Sequence, residues 1–276
     1  MPYSSAIALW LVGTLGLPAT LSSTHEGIHE RIAKVTELIK KQPGNANLHL
    51  VRADLYRSHQ DWPEAQADLK VSRSINASKP SLLFAEAHLA LDIGCALQAV
   101  HKLNAYHKEI RDDPNSWSLL SRAWDKLQRF DKAAEAMSIA IPLFETVEPD
   151  HFHFRARALQ KMGRGGLEKA LHCVEDGLTQ LGACISLELL AVDLENRLGS
   201  SADAQRRLDR LSEGAKRQES WLMRKGDVFW DHGKRIEARE QYRLGLDAIE
   251  QLKPRTRSTR AVREMQRHAQ KRLGNL

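Results

Sequence analysis

An alanine returns at nearly constant distance along this chain: Ala65, Ala99, Ala133, Ala170, Ala204 and Ala238 are 34, 34, 37, 34 and 34 residues apart. Each stands in a similar setting, as in D-W-P-E-A, F-D-K-A, L-E-K-A and I-E-A, a few residues into a stretch with apolar residues at helical spacing. A period of this size means that one supersecondary unit is used repeatedly. The segment W-S-L-L-S-R-A-W-D-K-L-Q-R-F-D-K-A-A-E-A-M-S-I-A, from Trp117 to Ala140, shows a whole unit: two amphipathic helical patterns joined at Gln128 and Arg129. Neither half can bury its own apolar face, so neighbouring units must supply the missing surface. Strand-like Val/Ile/Thr alternation is absent, and Ala, Leu, Glu, Lys, Arg and Gln dominate, which points to an all-α chain.

The first helix of each unit carries the other half of the signature. Trp117, Leu120 and Trp124 stand at the spacing W-x2-L-x3-W, and Ala133, Met137 and Ala140 continue it on the second helix. Small residues (Ala53, Ala87, Ser121, Ala156, Ala191, Gly226) take the place where the two helices of a pair cross. Pro43, Pro80, Pro114, Pro149 and Pro254 fall between units, where the ring stops one helix before the next begins. This pattern resembles the tetratricopeptide repeat over roughly residues 45 to 253, with its W-x2-L-G-x2-Y, A-x3-F and late Pro. There are departures: Arg52 and Arg155 replace an expected Leu, Gly165-Gly166 lengthen one turn and account for most of the 37-residue interval, and the fifth unit carries an extra residue near Gly199. The resemblance implies a right-handed α-solenoid of helix pairs. Residues 26–42 form a leading half-unit, 43–253 six repeats, and 254–276 a basic capping helix with Ser258 or Thr259 as its N-cap.

Charge is unevenly spread. The net of +6 invites a nucleic-acid reading, yet from Lys253 onward eight Lys/Arg stand against Glu264 alone, a net of +7 that leaves −1 for the rest. Residues 1–23 resemble a secretory signal peptide, apolar from Ala6 to Leu17 and then small and polar, although no Lys/Arg precedes the apolar run. Export to the periplasm or outside is therefore expected, cytoplasmic residence being the alternative, with no stable membrane span once that segment is removed. Cys95, Cys173 and Cys184 make no metal spacing; Cys173 and Cys184 fall on successive helices and could pair in an oxidising compartment.

Catalytic motifs are thin. H-E-G-I-H, His25 to His29, matches a zinc-hydrolase pattern, but Gly27 sits in what would be a fraying first turn and no third ligand is indicated. His151 and His153 project about 200° apart on a helix and cannot share a metal. No catalytic residue, metal or cofactor is expected.

In proteins of the resembled family the first helices line a concave groove that holds the ligand. Carried over to this chain, the groove candidates are Asn47, Leu50, Asp54 and Arg57; Phe84, His88 and Leu91; Ser118, Arg122, Asp125 and Lys126; His153, Arg157, Gln160 and Lys161; then Glu188, Glu195 and Asn196; and Met223, Asp227, Trp230 and Asp231. The partner-binding set is Arg57, His88, Arg122, Lys126, His153, Arg157 and Lys161. Arg122/Lys126 and Arg157/Lys161 repeat at a 35-residue interval and suit an acidic, extended segment of a protein or peptide. Acidic residues at Asp54, Glu188, Glu195, Asp227 and Asp231 argue against nucleic acid along the groove.

Overall fold

The computed structural model describes residues 27–274. Among them are fifteen α-helices and no strand. Helix α1 (Ile28–Lys41) leads, and six pairs follow: α2 (Ala46–His59) with α3 (Trp62–Ser74), α4 (Lys79–Asp92) with α5 (Ala96–Tyr106), and α6 (Pro114–Lys126) with α7 (Phe130–Ala140). After a short 3-10 turn come α8 (Pro149–Gln160) with α9 (Arg164–Leu181), α10 (Ile185–Leu198) with α11 (Ser201–Ser212), and α12 (Glu219–Asp231) with α13 (Arg235–Glu250). The chain ends in α14 (Pro254–Arg257) and α15 (Arg260–Gly274). The basic terminus is thus two helices, not one, and the Thr259 hydroxyl bonds back to the Thr256 carbonyl instead of capping α15.

The chain forms two compact units, residues 1–145 and 146–276. In both, the alanine ladder is the innermost feature: all six alanines have no exposed surface. Their methyl groups admit the close crossing of each pair, opposite residues as small as Ala87, Ala156 and Ala191, which are equally buried. In the first unit, Val35, Leu48, Val51 and Leu55 join Ile28 and Ile32 of α1 to the first pair, and Phe84, Leu103, Tyr106, Leu119 and Leu120 knit the second pair to the third. In the second unit, Val192, Ala204, Leu208 and Val228 link α10 and α11 to α12, while Val262 and Ala269 of α15 close the end on Tyr242 and Ile249. Gly226 is required by close approach, because a Cβ there would meet the Tyr242 ring at 2.7 Å.

The turn inside each pair has a common device. Five residues before the ladder alanine, Gln60, Gly94, Gln128, Gly199 and Gly233 all have positive φ, which lets the chain reverse between antiparallel helices. The fourth pair differs. Gly163 takes the positive φ, and Gly165 and Gly166 lie within α9 instead of lengthening the turn. The extra residues of the 37-residue interval are an added leading turn of α9, which starts six residues before Ala170 where the other second helices start three before theirs. Gly166 is needed because a Cβ there would clash with the Leu159 carbonyl. The extra residue expected near Gly199 is not there: Gly199 takes the same left-handed place, five residues before its alanine, as Gly94 and Gly233.

Candidate interaction surface

Several groove candidates belong to the core. Leu50, Phe84, Leu91 and Met223 are buried, because the first helix is wedged between its own partner and the adjacent pairs and presents only a narrow free face. The charged candidates divide the same way, according to whether an acid lies within reach.

In the first unit, Arg57 is taken up by two carboxylates, Asp54 at 2.7 Å on its own helix and Asp92 on α4. Burial opposes its charge, but these two acids outweigh burial and hold its pKa above the usual value. His88 is 6 % exposed, edge-on to the Phe84 ring, and its Nε2 has no hydrogen-bond partner. Burial, followed by the charges of Arg57 and Arg122, pushes its pKa well below the ordinary imidazole range, so the ring is neutral. Neither residue is therefore a free surface cation as the groove assignment required. Arg122 and Lys126 are. Both are exposed, both lie on one face of α6 one turn apart, and no hydrogen bond or ion pair with a described residue occupies either. Lys132 instead lies over the Trp124 ring, 4.5 Å from its centre.

In the second unit, His153 contacts the Ser186 hydroxyl at 3.0 Å, Arg157 is exposed with no acid on it, and Lys161 is already engaged within the protein. Further along, Asn196 donates to Asp231 and its amide oxygen contacts His232. Asp227 accepts from Tyr242 and contacts His268 of α15. Glu195 is buried and binds Arg207, which also reaches Glu188 and Glu175. Burial works against the Arg207 charge, yet the bonds to Glu195 and Glu188 prevail and raise its pKa. The acidic residues of this face are thus held by neighbours.

Sequence reasoning missed the polar links between consecutive pairs, Arg57 to Asp92, His153 to Ser186, Gln160 to Arg197 and Asn196 to Asp231, which join residues 33 to 37 positions apart. The repeat interval itself was the signal that could have found them. His25 and Glu26 of H-E-G-I-H, where the sequence argued against a zinc site, lie outside the described residues. His29 is exposed and packs edge-on against His59 at 4.4 Å. Among the described residues no group of His, Cys, Asp and Glu is placed to hold a metal, and Cys95, Cys173 and Cys184 are free thiols.

Antiparallel helix pairs sharing their apolar faces with the pairs on either side define a helical-repeat protein. Solved structures of tetratricopeptide-repeat proteins share this fold. The fold resembles the C-terminal part of a TPR repeat-containing protein from Cytophaga hutchinsonii, with a TM-score of 0.64 and 14% identity over 90% of this chain and 96% of that one. A tetratricopeptide repeat protein from Parabacteroides merdae gives 0.50 and 12% over 97% and 99%, and PilF of Pseudomonas aeruginosa gives 0.50 and 15% over 81% and 97%. No family model and no curated protein sequence matches the chain.

Proposed function

We propose that the chain is a non-enzymatic scaffold that captures an extended, acidic segment of a partner protein. The carrying observation is the Arg122–Lys126 pair: two exposed cations one turn apart on the first helix of a repeat, with no acid bound to either. A carboxylate-bearing segment would form charge-assisted hydrogen bonds there, and Arg157 offers the same chemistry in the second unit. The tetratricopeptide-type fold of the similar structures supports an interaction role. We further propose, from the apolar leader in the sequence, that the protein acts after export.

The test is crosslinked capture from native cells with wild type and with Arg122→Glu/Arg157→Glu. Capture of the same partners in the same amounts by both would remove the site. A loss confined to the variant, with acidic peptides competing against the wild type in a salt-dependent manner, supports it. Amino-terminal sequencing of the natural protein decides export.

A further inference from the structure

The free charge of the molecule lies elsewhere, at the second unit's closing helices. On α15, Arg263, Arg267 and Lys271 follow one another at four-residue spacing, so they form a single outer row, all exposed. Among the described residues none of the three is paired with a carboxylate; Arg267 reaches only the Arg263 carbonyl. The one acid on α15 itself, Glu264, is taken by Arg260 at 2.7 Å, and Asp227 from α12 lies against His268, not against the row. Arg255 and Arg257 on α14 extend the patch, and again no acid holds them. The opposite face of α15 is committed to the fold, with Val262 and Ala269 buried against Tyr242 and Ile249. A basic amphipathic helix is thus fixed with its apolar side inward and only its cations available.

We propose that this row docks the protein on an anionic lipid surface. Two observations favour lipid over a nucleic acid. The cations sit on the outer side of one helix, so a flat charged sheet meets them all at once. No exposed aromatic ring is interleaved among them to stack bases, since the nearby Trp230 is covered by Arg235 and Arg272 at 3.8 and 4.5 Å. The contact is peripheral: no helix among the described residues is long and apolar enough to cross a membrane.

The experiment measures partition of the full chain onto phosphatidylcholine vesicles and onto vesicles that also contain phosphatidylglycerol. The Ala6–Leu17 run would act on both kinds alike, so the ratio isolates the charged row. Each cation near such a surface is worth about fivefold in binding. Wild type is expected to prefer the anionic vesicles, and added salt to reduce that preference. Replacing Arg263, Arg267 and Lys271 together by Gln should cut the preference by on the order of a hundredfold, and replacing all three by Glu should abolish it. The Gln variant keeps good helix formers, and an unchanged circular dichroism spectrum and melting temperature confirm its fold. Equal partition of wild type onto both vesicle types would overturn the proposal, as would variants that partition like wild type. Displacement from the anionic vesicles by duplex DNA at lower concentration than by lipid would reassign the row to nucleic acid.

Discussion

The two units solve one problem with opposite charges. In the first, Asp68 lies three residues beyond its ladder alanine and holds two bases, His49 at 2.9 Å and Arg52 at 2.7 Å; Arg52 also reaches Thr36 of α1. In the second, Arg207 lies three residues beyond Ala204 and holds three acids, Glu175, Glu188 and Glu195. The same place in the fourth pair is Cys173, and there the arrangement is incomplete. Arg155 stands where Arg52 stands, one residue before the small crossing residue, but it faces a thiol whose pKa burial pushes up to about 11. The thiol is neutral, and the Arg155 Nε is buried without a partner. The position three beyond the alanine is filled by an acid at Asp68, a base at Arg207, a thiol at Cys173 and a buried methyl at Ala136, and the repeat alone does not say which.

The sharpest way to break this comparison is Arg207→Leu. It leaves two largely buried carboxylates and a third beside them without their cation, and should cost about 3 to 5 kcal/mol, read as faster amide hydrogen exchange in α10 and α11. Exchange as slow as wild type would show that the cluster is a solvated ornament. Next is a paired test at equivalent places. Arg52→Leu orphans much of the Asp68 charge and should cost about 3 kcal/mol, whereas Arg155→Leu removes a guanidinium whose buried Nε has no partner and should be neutral or stabilising by about 1 kcal/mol. Thermal unfolding of both variants checks the sign, and equal losses would mean that Arg155 has a role in the fold like that of Arg52.

Acid separates the units further. Burial pushes the pKa of His107 down to about 4, and that of His88 well down as well. His107 contacts the Ser116 hydroxyl and stacks on Trp117 at 3.8 Å. An unfolded histidine titrates near 6.5, so between about 6.5 and 4 the unfolded chain binds protons that the folded first unit refuses. The contribution of His107 is complete above about 6.5 and is lost as the pH falls, on the order of 2 to 3 kcal/mol by pH 4. In the second unit the only comparable depressed group among the described residues is the half-buried His151, also lowered by burial. Hydrogen exchange resolved by unit should therefore show α4 to α6 opening first on acidification. The smallest effect concerns the turns: the first unit uses Gln60 and Gln128 at positive φ where the second uses glycine. Gln128→Gly should raise stability by about 0.5 to 1 kcal/mol, and Gly199→Ala should lower it by a similar amount, both visible as shifts in melting temperature.

These differences mark the boundary of what the residues disclosed in advance. The ladder was legible because its alanines are fully buried: Ala99 and Ala133 must be small wherever the partner helix crosses, whatever else the chain does, while the partly buried Trp117 and Trp124 were legible from their spacing. The left-handed turn five residues before each alanine was half legible, since Gly94, Gly199 and Gly233 announce it and Gln60 and Gln128 conceal it. The candidate site was less so. Helical spacing places Arg57, His88 and Arg122 on first helices, but whether a cation is free depends on an acid about one repeat away. Asp92 quenches Arg57, whereas no acid reaches Arg122. Phe84 lies edge-on to His88 one turn earlier on the same helix, a contact the sequence does mark, but the charges of Arg57 and Arg122 that also bear on the ring come from other helices.

The polar links spaced by one repeat carry a consequence for modular exchange. A stack held only by apolar faces would accept its units in any order, but here the first pair is keyed to the second, the fourth to the fifth and the fifth to the sixth by particular atoms. Moving the second pair elsewhere would strand Arg57 without Asp92, and moving the sixth would strip Asn196 of both Asp231 and His232. The modules look alike, yet they are numbered.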